Sequence, residues 1–503
     1  MRTYPLDHRR RLLTVAFAAV LATASAALAA ESEPPPSPAE LQKKIKNLEE
    51  QVDRLNHETR QHETSIDTLT RFPLAQWKDG FQINSADNAY KLKIGAYTQA
   101  DGRFFLNDSQ NRNTSQFTFR RARLDIQGTV AKYFDFRILP DFAGANFVLF
   151  DAYVDVNYIP QAKLRVGKFK PPVGLERLQS ATSTMFIERG LPTNLVPTRD
   201  NGIQLFSDLW DGALSYQLGV FNGTPDLGNT ATDANDDKDF AGRLFAHPFR
   251  PLGIVPLTDF GIGLAGSYGH ERGTSVVSGT AAPVNNTELP GYRSFGQATV
   301  FSYSGGSAGT AATTTCDASN VCTTKPAVNG TAAAVASGDH SRITPQGYFY
   351  YGPFGLLAEW VSSKQEVNRP GPSSPVGRHN LNHRAYQIAA SYVLTGEPAT
   401  FKGVLPFQPF DPFQGKWGAF ELAARYGELD IDDDAFKYGF ASKTSSVRRV
   451  EEYVGGLNWY LNRNVKLVLD YAHSDFTGGA GTSSKPANRK SEQAIETRVQ
   501  LAF

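Results

Sequence analysis

A chain of 503 residues with a formal net charge of +1 has no overall field with which to hold nucleic acid or an anionic surface. Any electrostatic function must come from local placement of charge. The length suits roughly two or three soluble domains, or a single large barrel.

Arg9, Arg10 and Arg11 precede an apolar, small-residue run that ends in Ala27-Leu28-Ala29. A positive start, a short apolar stretch and an A-x-A site predict a secretory signal peptide over residues 1–29. No second run of about 18 apolar residues follows, which excludes a helical membrane protein. A membrane β-barrel stays open, because alternating strands escape hydropathy scans.

Residues 30–38 contain PPPSP and predict a stiff linker. Over 39–71 the apolar positions Leu41, Ile45, Leu48, Val52, Leu55, Ile66 and Leu69 step by four and three, with polar Thr59 and His62 in the same series. That is the seam of a short coiled coil, expected in the periplasm and expected to self-associate. A single amphipathic helix lying on the domain is the alternative. His62 has no partner histidine at ligand spacing.

From residue 80 to 503 the pattern changes to period two. In FRRARLDIQGTV, residues 119–130, Ala122, Leu124 and Ile126 share one face, and Arg121, Arg123, Asp125 and Gln127 share the other. FVLFDAYVDVNYI sets Asp151, Tyr153 and Asp155 against Ala152, Val154 and Val156. AIETRVQLAF sets Glu496, Arg498 and Gln500 against Ile495, Thr497, Val499, Leu501 and Phe503. If one face meets lipid and the other a water-filled lumen, both are satisfied without a protein core. Short turns (GTVAKY, IPQAK, YGPFG, LNRN), expected on one side of the barrel, alternate with long polar loops, expected on the other, near 105–116, 170–200, 223–238, 271–339, 366–381, 431–446 and 476–490. Counting hairpins gives about 16 strands. The predicted fold is all-β: a 16-stranded antiparallel transmembrane β-barrel preceded by a short helical coiled coil. Trp459 and Tyr460 suit an interfacial aromatic girdle.

Little in the sequence suggests an enzyme. GGSAG at 305–309 fits G-x-S-x-G, but it lies in a Gly/Ala/Ser/Thr-rich loop and not at a strand-to-helix turn. Cys316 and Cys322 are expected to form a loop-restraining disulfide. DIDDDAF at 430–436 lacks the glycine and glutamate of a calcium loop and reads as solvated charge. No metal or cofactor is expected. The segment 168–199 differs, carrying Lys168, Lys170, Arg177, Arg189 and Arg199 against only Glu176 and Glu188. A long basic segment after an early strand can fold into the lumen and narrow it, or remain a solvated outer loop.

FRRARLDIQGT, VGKFKPPVGLER, FIERGLP, SYVLTGEPATFKG and GLNWY, in that order, resemble the phosphate-selective porin O and P family over about residues 80–503. The resemblance implies a trimer of barrels in the Gram-negative outer membrane, each with a central anion site at a constriction made partly by an inward loop. Carried over by motif, the site residues are Arg120 and Arg121 of FRR, Asp151 on a following strand, Arg177 where well-known members have lysine, Ser180, and Arg189. Arg123, Lys168, Lys170, Arg199 and Arg293 are secondary lumen or loop charges. Two departures bear on selectivity. Segment 271–339 holds only Arg272 and Arg293 where the phosphate-selective members carry an arginine run, and Asp135 stands where the family has a ladder lysine. The expected function is an anion-preferring diffusion channel for phosphate or related oxyanions, polyphosphate included, in contact with lipid and lipopolysaccharide. A general or organic-solute porin and a closed structural or adhesive barrel are the alternatives.

Overall fold

The computed structural model describes residues 37–71, 74–77, 79–106, 113–144, 146–229, 235–278, 280–371 and 375–503. The predicted signal peptide and most of the predicted linker lie outside the described residues.

The chain forms two units, divided between residues 72 and 73. The first contains one helix, α1 (Pro38–Arg71). Leu41, Ile45, Leu48, Val52 and Leu55 are exposed along it. Thr59 turns its hydroxyl back to the Leu55 carbonyl at 2.7 Å, a bond that slightly weakens a helix. The side chains of His62, Ile66 and Leu69, in the second half of the seam, lie outside the described residues.

The second unit is a closed barrel of sixteen antiparallel strands. In chain order they are β1 (Lys91–Phe105), β2 (Gln116–Val130), β3 (Phe134–Asp141), β4 (Val148–Val156), β5 (Lys163–Phe169), β6 (Asp200–Leu209), β7 (Leu214–Phe221), β8 (Asp239–Ala246), β9 (Asp259–Arg272), β10 (Val335–Tyr351), β11 (Phe354–Arg369), β12 (Val376–Val393), β13 (Ala419–Asp430), β14 (Val447–Tyr460), β15 (Val465–Gly481) and β16 (Glu492–Ala502). Each pairs with its neighbours in sequence, and β16 returns to β1, with Leu501 opposite Thr98. Closure removes the unpaired edges that an open sheet would present to lipid. A hairpin of Leu74–Trp77 and Phe81–Asn84 extends β1 at its start, with Phe81 opposite Ile94.

The wall is inverted relative to a soluble protein. Outward positions such as Ile262, Leu264, Leu422, Leu469, Val499 and Leu501 are exposed and apolar. Inward positions such as Asp101, Glu421, Asp470, Glu496 and Arg498 are charged and buried. Period-two alternation on a closed sheet gives this division directly.

Two expectations need correction. The lumen is not free of a protein core. Val361, Leu381, Leu429, Val450 and Phe476 point inward from β11–β15, against Leu191, Val196, Tyr292, Val300 and Phe301 from two inserted loops. Those loops carry large apolar side chains that lose water only if the wall offers apolar cover. Segment 271–339 is therefore partly internal and not a wholly outer loop. Nor are long connections confined to one end. Residues 394–418 form a long connection between β12 and β13, at the end where most turns are short. Phe401 of this connection stacks on Tyr348 of β10, ring centroids 4.9 Å apart.

Candidate functional site

The site begins with two breaks in strand register. Between β1 and β2, Gln99 faces Arg121 and Ala100 faces Phe119, so Arg120 is an extra residue. Strict alternation would send Arg120 toward lipid. The bulge turns Arg120 and Arg121 into the same cavity. Between β3 and β4, Leu139 faces Asp151 and Pro140 faces Leu149, which leaves Phe150 unpaired. Pro140 has no N–H to give the ladder, so the break falls beside it. Phe150 and Asp151 consequently line the cavity together.

The loop 170–199 supplies the other side. It contains a single helical turn, α2 (Leu175–Leu178), and a 3-10 turn, Leu191–Leu195. Wall side chains hold its backbone across the lumen. Gln99 donates to the Ala181 carbonyl at 2.9 Å, Asn458 to Met185 at 2.9 Å, and Lys466 to Thr184 at 2.9 Å. Arg498 donates to the Ile187 carbonyl at 2.8 Å, Arg425 to Glu188 at 3.0 Å, and Asp470 accepts the Ile187 N–H at 2.7 Å. A loop inside a barrel cannot use water for all its peptide groups, and these charged and amide side chains take water's place.

The resulting cavity has a volume of about 700 Å³. Eleven cationic side chains line it: Arg120, Arg121, Arg123, Arg137, Arg165, Lys170, Arg177, Arg189, Arg199, Arg243 and Arg293. Among the described residues, Asp151 is the only acid in the lining. Five of the eleven are neutralised by neighbours. Arg120 is bidentate to Glu188 (2.6 and 3.2 Å), and Arg123 meets Asp141 at 2.7 Å. Arg137 is bidentate to Asp125, Arg165 to Asp155, and Arg199 reaches Asp151 at 2.5 Å.

The other six have no carboxylate partner among the described residues. Arg121 donates to Gln99 at 2.6 Å, and Arg243 to Gln346 at 3.2 Å. Lys170 donates to the carbonyls of Leu178 and Gln179. Arg177 donates to the Thr193 carbonyl at 2.6 Å, and its buried Nε has no acceptor among the described residues. Arg189 donates to the carbonyls of Glu176 and Gln179, both at 2.9 Å. Burial, then the fields of Arg189 and Arg199, hold the Arg177 guanidinium below its ordinary pKa. Burial followed by Arg199 and Arg189 does the same to the Lys170 ammonium. Crowded, dehydrated cations of this kind are stabilised by an anion among them.

Aromatic rings brace several guanidiniums. Arg123 sits 3.7 Å from the centre of the Phe150 ring, and Arg165 sits 3.8 Å from that of Tyr153. Rings already covered in this way favour the cation's position over stacking of a flat solute.

The cavity brings together Arg120, Arg121, Asp151, Arg177, Ser180 and Arg189, along with Arg123, Lys170, Arg199 and Arg293. Lys168 is buried on β5 but is not part of the lining. Ser180 is exposed, its hydroxyl 2.9 Å from that of Thr182. Arg293 is carried in by the loop 273–334, whose backbone at that residue exchanges two hydrogen bonds with Asn194. Arg137, Arg165 and Arg243 were missed by the sequence reading. Alternation in FDFRILPD, KLRVGKF and DFAGRLFA is the signal that could have found them.

Asp135 accepts hydrogen bonds from Thr129 and Asn157 in a second cavity of about 510 Å³, which Lys91 and Lys93 also line. Cys316 and Cys322 form a disulfide on an exposed hairpin. The acidic stretch 430–436 holds a short helix, α3 (Asp433–Lys437), capped by Asp432. No cluster able to hold a metal occurs among the described residues. Ser307 of GGSAG lies on an exposed segment beside the Thr331 hydroxyl.

The family model described as phosphate-selective porin O and P matches residues 92–262 and 304–503. Porin O of Pseudomonas aeruginosa is 24% identical over 412 residues, covering 78% of this chain and 85% of that protein. Among solved structures, the outer membrane channel DcaP of Acinetobacter baumannii is 11% identical with a TM-score of 0.46, covering 82% of this chain and 98% of that one. The anion-selective porin from Comamonas acidovorans is 10% identical with a TM-score of 0.45, covering 82% and 100%.

Proposed function

The chain belongs to the phosphate-selective porin O and P family, and from that premise we propose that it is an anion-preferring outer-membrane diffusion channel for phosphate and related oxyanions. The observation that carries this reading is the cavity lining of eleven cations and one acid, six of the cations without a carboxylate partner among the described residues. An oxyanion there gains charge-assisted, bidentate hydrogen bonds from guanidiniums. Conduction also requires release. Asp151, held between Arg199 and Arg137, offsets the positive field and keeps the grip moderate. A net affinity near the millimolar range, about −4 kcal/mol, permits passage.

The test is electrical. In planar bilayers under a potassium chloride gradient, the reversal potential should lie toward that of chloride, and added phosphate should block the chloride current. Arg177→Ala should weaken that block by roughly ten- to a hundredfold, the equivalent of one charged hydrogen bond of about 1.5–3 kcal/mol. Arg177→Lys should weaken it less. Anion preference without phosphate block would favour a general porin. That second reading draws on the cavity volume of about 700 Å³, which exceeds the need of a single oxyanion.

The working form in this proposal is a homotrimer in contact with outer-membrane lipid and lipopolysaccharide, with α1 in the periplasm reinforcing the assembly through its exposed apolar stripe. Deleting residues 31–71 should leave a folded, conducting barrel with lower oligomer stability on heating. A truncated protein that formed no channel would show that the helix is required for assembly.

A further inference from the structure

Two of the loop guanidiniums of the cavity, Arg177 and Arg189, are held from a strand that contributes nothing to its lining. Glu359, on the inner face of β11, directs its carboxylate at the start of α2. Oε1 accepts the Leu175 N–H at 2.6 Å, and Oε2 accepts that of Glu176 at 3.3 Å. The turn has no side-chain cap of its own, because the preceding residue is Gly174. Gly174 takes a φ of +85°, and a Cβ built there would stand 3.4 Å from Glu359 Oε1, so the backbone comes close beneath the carboxylate. Gln387 on β12 completes the clasp, donating to Glu176 Oε2 at 2.9 Å and to Glu359 Oε2 at 3.4 Å. Glu176 in turn accepts the Gly190 N–H at 2.8 Å.

Arg177 and Arg189 both depend on this turn. Arg177 is part of it, and Arg189 donates to the carbonyls of Glu176 and Gln179 at either end of it. We propose that Glu359 is a positioning residue for anion passage: it fixes α2 against the wall, and through α2 fixes Arg177 and Arg189, without touching the permeant. This rests on the reading of those two arginines as anion ligands.

The sign of the effect separates position from charge. Removing a carboxylate near the cavity makes the field there more positive, which by itself tightens anion block. Releasing α2 lets Arg177 and Arg189 move apart, which weakens block. Glu359→Gln removes the charge but keeps an oxygen able to accept the Leu175 N–H. Glu359→Asp keeps the charge but shortens the reach.

The experiment measures phosphate block of chloride current for wild type, Glu359→Ala, Glu359→Gln, Glu359→Asp and Arg177→Ala. Chloride conductance without phosphate and heat-modifiable gel mobility report whether each barrel is folded. Glu359→Ala and Glu359→Asp should weaken block by about tenfold, as the loss of one charge-assisted contact would. Glu359→Gln should stay within about threefold of wild type, or block more tightly. Unchanged or tighter block in Glu359→Ala, with weakened block in Arg177→Ala, overturns the positioning role alone. Unchanged block in both removes the anion-site reading and this inference with it. If Glu359→Ala fails to fold, the Gln and Asp pair decides: equal block in those two variants overturns the proposal.

Discussion

Replacing both Arg177 and Arg189 with alanine should remove phosphate block almost entirely while leaving an open, conducting barrel. Each side chain offers charged donors beside the same space, and neither has a carboxylate to neutralise it among the described residues. A charged hydrogen bond contributes about 1.5–3 kcal/mol, and each 1.4 kcal/mol is tenfold in affinity. The pair lies close enough for its two effects to couple, so simple addition does not apply. The expected loss is about a hundredfold or more. The measurement is the phosphate concentration that halves the chloride current, together with the reversal potential. Unchanged block and unchanged anion preference in the double variant would reject this site and favour a general channel.

Arg498→Ala should produce the largest loss of barrel stability. Arg498 is bidentate to Asp101 across the closing seam of the barrel, with both bonds at 2.7 Å and both side chains almost completely buried. It also donates to the Ile187 carbonyl of the lumen loop. Truncation leaves the Asp101 charge buried without its partner, which typically costs about 3–5 kcal/mol. The double variant Arg498→Leu, Asp101→Leu should be less destabilised, because no unpaired charge remains. Denaturation followed by gel mobility gives the order. A single variant as stable as wild type would mean that water or another cation compensates Asp101.

Much of the architecture was legible because a barrel strand repeats every two residues and its two faces meet very different solvents. The charged run of β2 and the closing strand β16 declared themselves in this way. The adjacent pair Arg120 and Arg121 did not. No period-two reading sends two neighbours to one side, and the bulge that does so arises from pairing with β1. Motif resemblance named that pair where periodicity could not. Arg137, Arg165 and Arg243 stood in plain alternation, but deciding which face is inward requires the register of neighbouring strands. The contacts that hold the loop were beyond local reading, since Gln99 meets Ala181 across 82 positions and Arg498 meets Ile187 across 311. Inward Val361 and Leu381 were hidden because their strands carry apolar residues on both faces.

The lining of the cavity comes from one arc of the wall, and most of the strand residues in the internal apolar core come from another. Every wall residue in the lining comes from β1–β8, whereas Val361, Leu381, Leu429 and Val450 of the core belong to β11–β14, and Phe169, Phe221 and Ala241 of β5, β7 and β8 join them. The two arcs therefore respond differently to mutation. Substitutions at polar lining positions such as Gln204, Gln217 and Arg243 on β6–β8 can exchange one permeant for another with little disturbance of the apolar core. Inward substitutions on β11–β14 alter the support on which the inserted loops rest. A library meant to redesign the pore belongs on the first arc, and one meant to harden the protein against heat belongs on the second.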